Sequence, residues 1–257
     1  MLSLLTIMTV LTGAPTGGTA SALADLTTCK KLRSNRCLVA ATNLSKMGCK
    51  VTKATTKRLP GMTTNGQILA LDVLDACKTS VGSKALIATA KNKTLNDVVR
   101  SLTIESMTRR PGSRITRALI DALRDKRDPV RSAAARSLGN RTNGKDKRKV
   151  MKALLEAASD SNSTVRLEAL ISLRLNRVPK AGPVFTSRLV DSEPRVQQAA
   201  AEGLSRLKYT ESVRPLIETL RSRNGLLREI ALKALIYQTG LTYPEDYPLW
   251  LEWYQNR

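Results

Sequence analysis

The sequence predicts an all-α fold, a right-handed α-solenoid of stacked helical hairpins, and three observations lead there. Around Asp128-Pro129-Val130-Arg131, apolar residues fall at Val130, Ala134, Ala135 and Leu138, a spacing of zero, +4, +5 and +8 that lies on one stripe of a helix. Val165, Ala169, Leu170 and Leu173 repeat that frame, as do Val196, Ala200, Ala201 and Leu204, then Leu227, Ala231, Leu232 and Leu235, with Val99, Thr103, Ile104 and Met107 as a weaker upstream copy. Successive anchors stand 31, 35, 31 and 31 residues apart. A nearly fixed period of this size marks units that bury their apolar faces against one another. Aromatic residues are 3% of the chain and Phe185 is the one phenylalanine, so the interior must be Leu, Ala, Val and Ile. Such a core suits helices better than a sandwich or barrel.

Residues 2–11 are mostly apolar, and Ala22-Leu23-Ala24 supplies small residues before Asp25. This is the pattern of a secretory signal, so residues 1–24 are read as a signal peptide and the mature chain as periplasmic or secreted. No basic residue precedes the apolar run, which is also shorter than the about 20 residues of a membrane-crossing helix.

Residues 25–83 hold all four cysteines, Cys29, Cys37, Cys49 and Cys77. The even count agrees with export and allows two disulfides, in any of three connectivities. Thiols buried as small hydrophobes are the alternative. A metal site is disfavoured, because there is no Cys-x-x-Cys clip and no histidine. Leu26, Cys29 and Leu32, then Cys37, Leu38 and Leu44, then Ile68, Leu69, Val73, Leu74 and Cys77 are compatible with helices. The region is read as a helical cap over the open end of the array.

Residues 84–240 form the array. Ile115, Leu119 and Leu123 precede the Val130 frame, Val150, Leu154 and Ala158 precede Val165, and Leu216 and Leu220 precede Leu227, giving each repeat a first helix. Asp125, Asp128, Asp160, Asp191 with Pro194, and Asn224-Gly225 stand at the corners, suited to cap the second helix or to turn the chain. Ala134, Ala169, Ala200 and Ala231 should be buried where helices approach closely. The longer step holds four extra residues, best placed in the basic loop Gly139–Lys147. Arg109 to Lys149 carries fourteen Lys and Arg against four Asp, a net of +10. After Gly240 the repeat stops, and Trp250 and Trp253 in residues 241–257 would share one face of a short helix that covers the last repeat.

The Asp-x-Val-Arg corner followed by an Ala-rich helix resembles the HEAT-repeat family, in particular its short-period, phycobilin-lyase-like repeats, and the match covers roughly residues 84 to 240. The tail resembles the Trp-rich end of exported bacterial HEAT-repeat proteins. The resemblance implies that Arg100, Arg131 and Arg166 pair with the corner acids Asp97, Asp128 and Asp160 of the same or adjacent repeat. Gln197 and Arg228 break that pattern, Arg228 for want of an acid, so the ladder is expected to fade towards the C-terminus. Likeness to HEAT-like DNA glycosylases is architectural only.

The chain has no histidine, which removes His-based acid–base catalysis, His-paired nucleophiles and His-ligated metals together. No phosphate-cradling Gly-rich loop is present. A non-enzymatic protein without cofactor, metal or small-molecule substrate is expected. In HEAT-type stacks the second helices line the concave side, where Leu167, Ile171, Gln198 and Ile230 are candidate contacts to a partner protein. The net charge of +22 raises an alternative, an anionic polymer (envelope polysaccharide, phospholipid or nucleic acid) or a membrane surface. Candidates for it are Arg141, Lys145, Lys147, Arg148 and Lys149. No aromatic residues stand among them to stack bases.

Overall fold

The computed structural model describes residues 18–141 and 144–257, so the apolar run at 2–11 and Thr142-Asn143 of the basic loop lie outside the described residues. Among the described residues there are fifteen α-helices, a few 3-10 turns and no strand. Two compact units divide between Ile115 and Thr116, inside the helix α7 (Ser113–Ala122).

The N-terminal unit holds α1 (Thr19–Thr27), α2 (Asn35–Lys46), α3 (Thr52–Arg58), α4 (Thr64–Ala76), α5 (Ser80–Lys91) and α6 (Asp97–Ser106). Helix α4 is its centre and packs against each of the other five. Its sequence explains this: Leu69, Ala70, Leu71, Val73 and Leu74 are apolar almost all round, and all are buried. A helix of that kind must be enclosed. At Gly66 a Cβ would stand 1.8 Å from the Leu26 carbonyl oxygen, so only glycine lets α1 lie this close to α4.

Thr63 caps α4, accepting from the Gly66 amide and donating to the Cys29 carbonyl. At the other end the buried Arg110 guanidinium donates to the carbonyls of Leu74, Asp75 and Cys77 and to the Asp75 carboxylate. It thereby satisfies oxygens that the helix itself leaves without partners. The cysteines pair as Cys29–Cys37 and Cys49–Cys77, which tie α1 to α2 and α2 to the end of α4. Ala22, Leu23 and Leu26 of α1 lie in the unit's core, and the Ala24–Asp25 bond falls inside that helix.

From Thr116 the second unit runs through α8 (Asp128–Gly139), α9 (Lys147–Ala157), α10 (Ser163–Leu175), α11 (Gly182–Arg188), α12 (Pro194–Leu204), α13 (Val213–Thr219), α14 (Gly225–Thr239) and α15 (Tyr247–Gln255). Helices α9, α11 and α13 each pack on the helix that follows, and α8, α10, α12 and α14 pack on one another in succession. The apolar frame sets this arrangement: the second-helix anchors are buried, and Ala134, Ala169, Ala200 and Ala231 are each 0% exposed. Alanine is the residue that lets two helices approach at those points.

Helix α11, for which the apolar frame offered no clear counterpart, follows a 3-10 turn at Pro179–Ala181. Its Phe185 is buried against Gly203, where a Cβ would come within 2.5 Å of the ring. Helix α15 packs on α13. Trp250 is fully buried, donates its Nε1 proton to the Pro244 carbonyl at 2.9 Å, and makes edge-on contacts with Tyr243 and Trp253.

Candidate functional site

The corners of the second unit decide how rigidly it presents a surface. In each repeat the residue after the anchor reaches back to the carbonyl six positions earlier. Arg131 donates to Asp125 at 2.9 Å, Arg166 to Asp160 at 2.9 Å, Gln197 to Asp191 at 2.6 Å and Arg228 to Ser222 at 3.0 Å. The remaining donors of each arginine go forward one corner. Arg131 forks onto Asp160 with two bonds of 2.8 Å, and Arg166 forks onto Asp191 at 2.8 and 2.6 Å. Such bidentate pairs fix orientation as well as distance.

One expectation changes here. The ladder does not fade: Arg228 meets Glu245 of the tail, and Gln197 keeps the carbonyl bond although it has no charge. Arg166 reaches forward to Asp191, and Arg131 pairs with both Asp128 and Asp160. Of the two roles expected at the corners, capping the helix or turning the chain, Asp125, Asp160 and Asp191 take the turn. They accept from the amides two residues on, at Arg127, Asn162 and Glu193, while Asn162 and Asn224 cap α10 and α14. Burial pushes the carboxyl groups of Asp160 and Asp191 up, but the hydrogen bonds from Arg131 and Arg166, and from those amides, hold both below the ordinary carboxylate range.

Leu167 and Ile171 of α10, Gln198 of α12 and Ile230 of α14 are all partly exposed. The structure thus puts the four on three successive packed helices. Two ion pairs missed by sequence reasoning bridge these helices, Arg136–Glu168 between α8 and α10 at 2.6 Å, and Arg174–Glu202 between α10 and α12. Opposite charges close to one period apart, 32 and 28 residues, were the available signal. Partly exposed aliphatic side chains and inter-helix ion pairs thus occur on the same helices.

The basic segment divides. Lys145, Lys147, Arg148 and Lys149 are exposed at the start of α9, whereas Arg141 is partly buried and donates to Thr116 at 3.2 Å. Burial also lowers the pKa of its guanidinium. Among the described residues no group of His, Cys, Asp and Glu could hold a metal ion, and no helix is long and apolar enough to cross a membrane.

Two stretches, residues 83–174 and 151–236, match the sequence model of HEAT repeats. Among solved structures, YibA of Escherichia coli aligns at a TM-score of 0.59 and 18% identity, covering 80% of this chain and 77% of that one. An engineered protein aligns at 0.49 and 18% identity, covering 86% and 68%. The CpcE–CpcF complex of phycocyanin lyase from Nostoc sp. PCC7120 aligns at 0.44 and 18% identity, covering 88% and 78%. Identities this low speak to the fold alone. No curated protein matches the chain by sequence. The repeat matches span 83–236, more than half of the chain, and coincide with the stacked hairpins, so the chain belongs to the HEAT-repeat family.

Proposed function

We propose that the chain is a non-enzymatic, exported scaffold that binds a partner protein on the face formed by α10, α12 and α14. The observation that carries this reading is the set Leu167, Ile171 and Ile230, partly exposed on packed helices and flanked by Arg136–Glu168 and Arg174–Glu202. An apolar centre with a charged rim is the usual make-up of a protein interface. Gln198 adds an adaptable polar contact.

Export is supported by the two cysteine pairs, since such bonds persist in oxidising compartments. Because Ala22 and Leu23 are core residues, a cut before Ala22 keeps both, whereas a cut after Ala24 removes both. Intact-mass analysis of exported protein, alkylated with and without reduction, tests both points. Four cysteines labelled without reductant would overturn export. Within this reading residues 25–83 and residues 241–257 each cap the repeats they adjoin.

Affinity copurification from the native host tests the partner surface. Leu167→Asp with Ile171→Asp should strip the bound protein, while Glu at Lys145, Lys147, Arg148 and Lys149 should leave it. The reverse result supports the second reading, an anionic polymer on α9, which those four exposed cations favour. That binding would weaken steeply with salt, because each neutralised anion releases a counterion.

A further inference from the structure

A second concentration of charge lies in the N-terminal unit. From Leu26 to Leu71 the chain has nine Lys and Arg and no Asp or Glu. Lys50, Lys53 and Lys57 recur at i, i+3 and i+7 through the 3-10 turn Gly48–Val51 and α3, opposite the buried Val51, Thr52, Thr55 and Leu59. All three lysines are exposed, and none has an ion pair among the described residues. Helix α5 packs beside α3 and exposes Val81 and Lys84 on its outer side, Val81 at 49%. Met47, 40% exposed, ends α2 two residues before Cys49. Cys49 is bonded to Cys77 and in contact with Thr79, which brings the Met47 and Val81 segments together.

We propose that this surface, Lys50, Lys53, Lys57 and Lys84 with Met47 and Val81, docks the protein on an anionic phospholipid bilayer. The chemistry favours lipid over nucleic acid for three reasons. The stripe is all lysine, whose point charge on a flexible stem suits mobile headgroups, whereas reading a fixed phosphate register favours the arginine fork. Residues up to Ile115 contain no aromatic side chain on which a base could stack. Two exposed apolar side chains among the lysines have no use at a phosphate backbone but can enter the headgroup layer. The disulfide-tied segments hold charge and apolar groups in one rigid array.

The test is sedimentation of the full-length, disulfide-bonded protein with vesicles of equal phosphatidylglycerol and phosphatidylcholine, against phosphatidylcholine alone. Binding is expected to the first only and to fall with salt. Each lysine near such a surface contributes about fivefold, so Lys50→Gln, Lys53→Gln and Lys57→Gln together should weaken it on the order of a hundredfold. Met47→Ser with Val81→Ser should weaken vesicle binding without changing retention on a duplex DNA column. Because the substituted side chains are exposed, circular dichroism of every variant should match the parent. Equal binding to both vesicle types, loss on substituting Lys145, Lys147 and Lys149 but not the α3 lysines, or DNA binding that depends on the α3 lysines as strongly as vesicle binding does would each overturn the proposal.

Discussion

In the N-terminal unit the corners beside α2 and α4 are closed by Cys29–Cys37 and Cys49–Cys77, whereas from Thr116 onward they are closed by Arg131–Asp160, Arg166–Asp191 and Arg228–Glu245. The N-terminal unit has ion pairs at the same corners, Arg36–Asp25 and Arg110–Asp75, but they do not recur at a fixed step along the chain. In the array, by contrast, a repeat that places Arg after its anchor finds the next corner acid at a near-constant distance along the stack. A periodic chain can thus reuse one non-covalent joint, while a non-periodic one needs joints of its own. The α4 terminus shows the same economy in another form, with one guanidinium, Arg110, serving three carbonyls.

The sharpest way to break this comparison is at the most enclosed joint. The Arg166 and Asp191 side chains are 9% and 1% exposed. Asp191→Ala leaves that guanidinium buried without its carboxylate and should cost about 3 to 5 kcal/mol in denaturant unfolding. Next comes the covalent joint. Cys49→Ser with Cys77→Ser should cost about 2 to 4 kcal/mol. Both tryptophans lie in the second unit and the first has no aromatic residue, so this loss should appear in far-ultraviolet circular dichroism ahead of any change in tryptophan fluorescence.

Packing between the joints is a smaller effect. Ala200→Leu should overpack α12 against its neighbours, at about 1 to 3 kcal/mol in thermal melts. An unchanged melting temperature would count against the repeat alignment. Gln197→Ala removes one neutral bond to the Asp191 carbonyl and should cost about 1 kcal/mol, which would measure the carbonyl arm of the ladder without its charge.

Acid should separate the two kinds of joint. Asp160 and Asp191 have folded pKa values below their unfolded ones, so their contribution is present above the unfolded pKa, about 3.9, and is lost as pH falls through the folded values. Melting temperature should accordingly hold near neutrality and drop below about pH 4, more steeply for the parent than for Asp191→Asn. A parallel drop in both would place the acid sensitivity elsewhere.

The sequence by itself determined where the second helices of the array lie and which side of each is buried, because burial follows a period that can be counted: Val130, Val165, Val196 and Leu227 are all enclosed. It also determined that Ala134, Ala169, Ala200 and Ala231 are fully buried. Only tertiary structure decided where polar groups find partners. Arg228 meets Glu245 because the tail folds back beside α13 and α14, where no period continues, and Arg141 turns inward to Thr116 while its basic neighbours stay in water. The cysteine pairing and the enclosure of α1 belong to the same class. An apolar side chain needs only an inside, which local periodicity specifies, but a hydrogen bond or disulfide needs one particular atom at one particular distance, and the chain brings that atom from far along the sequence.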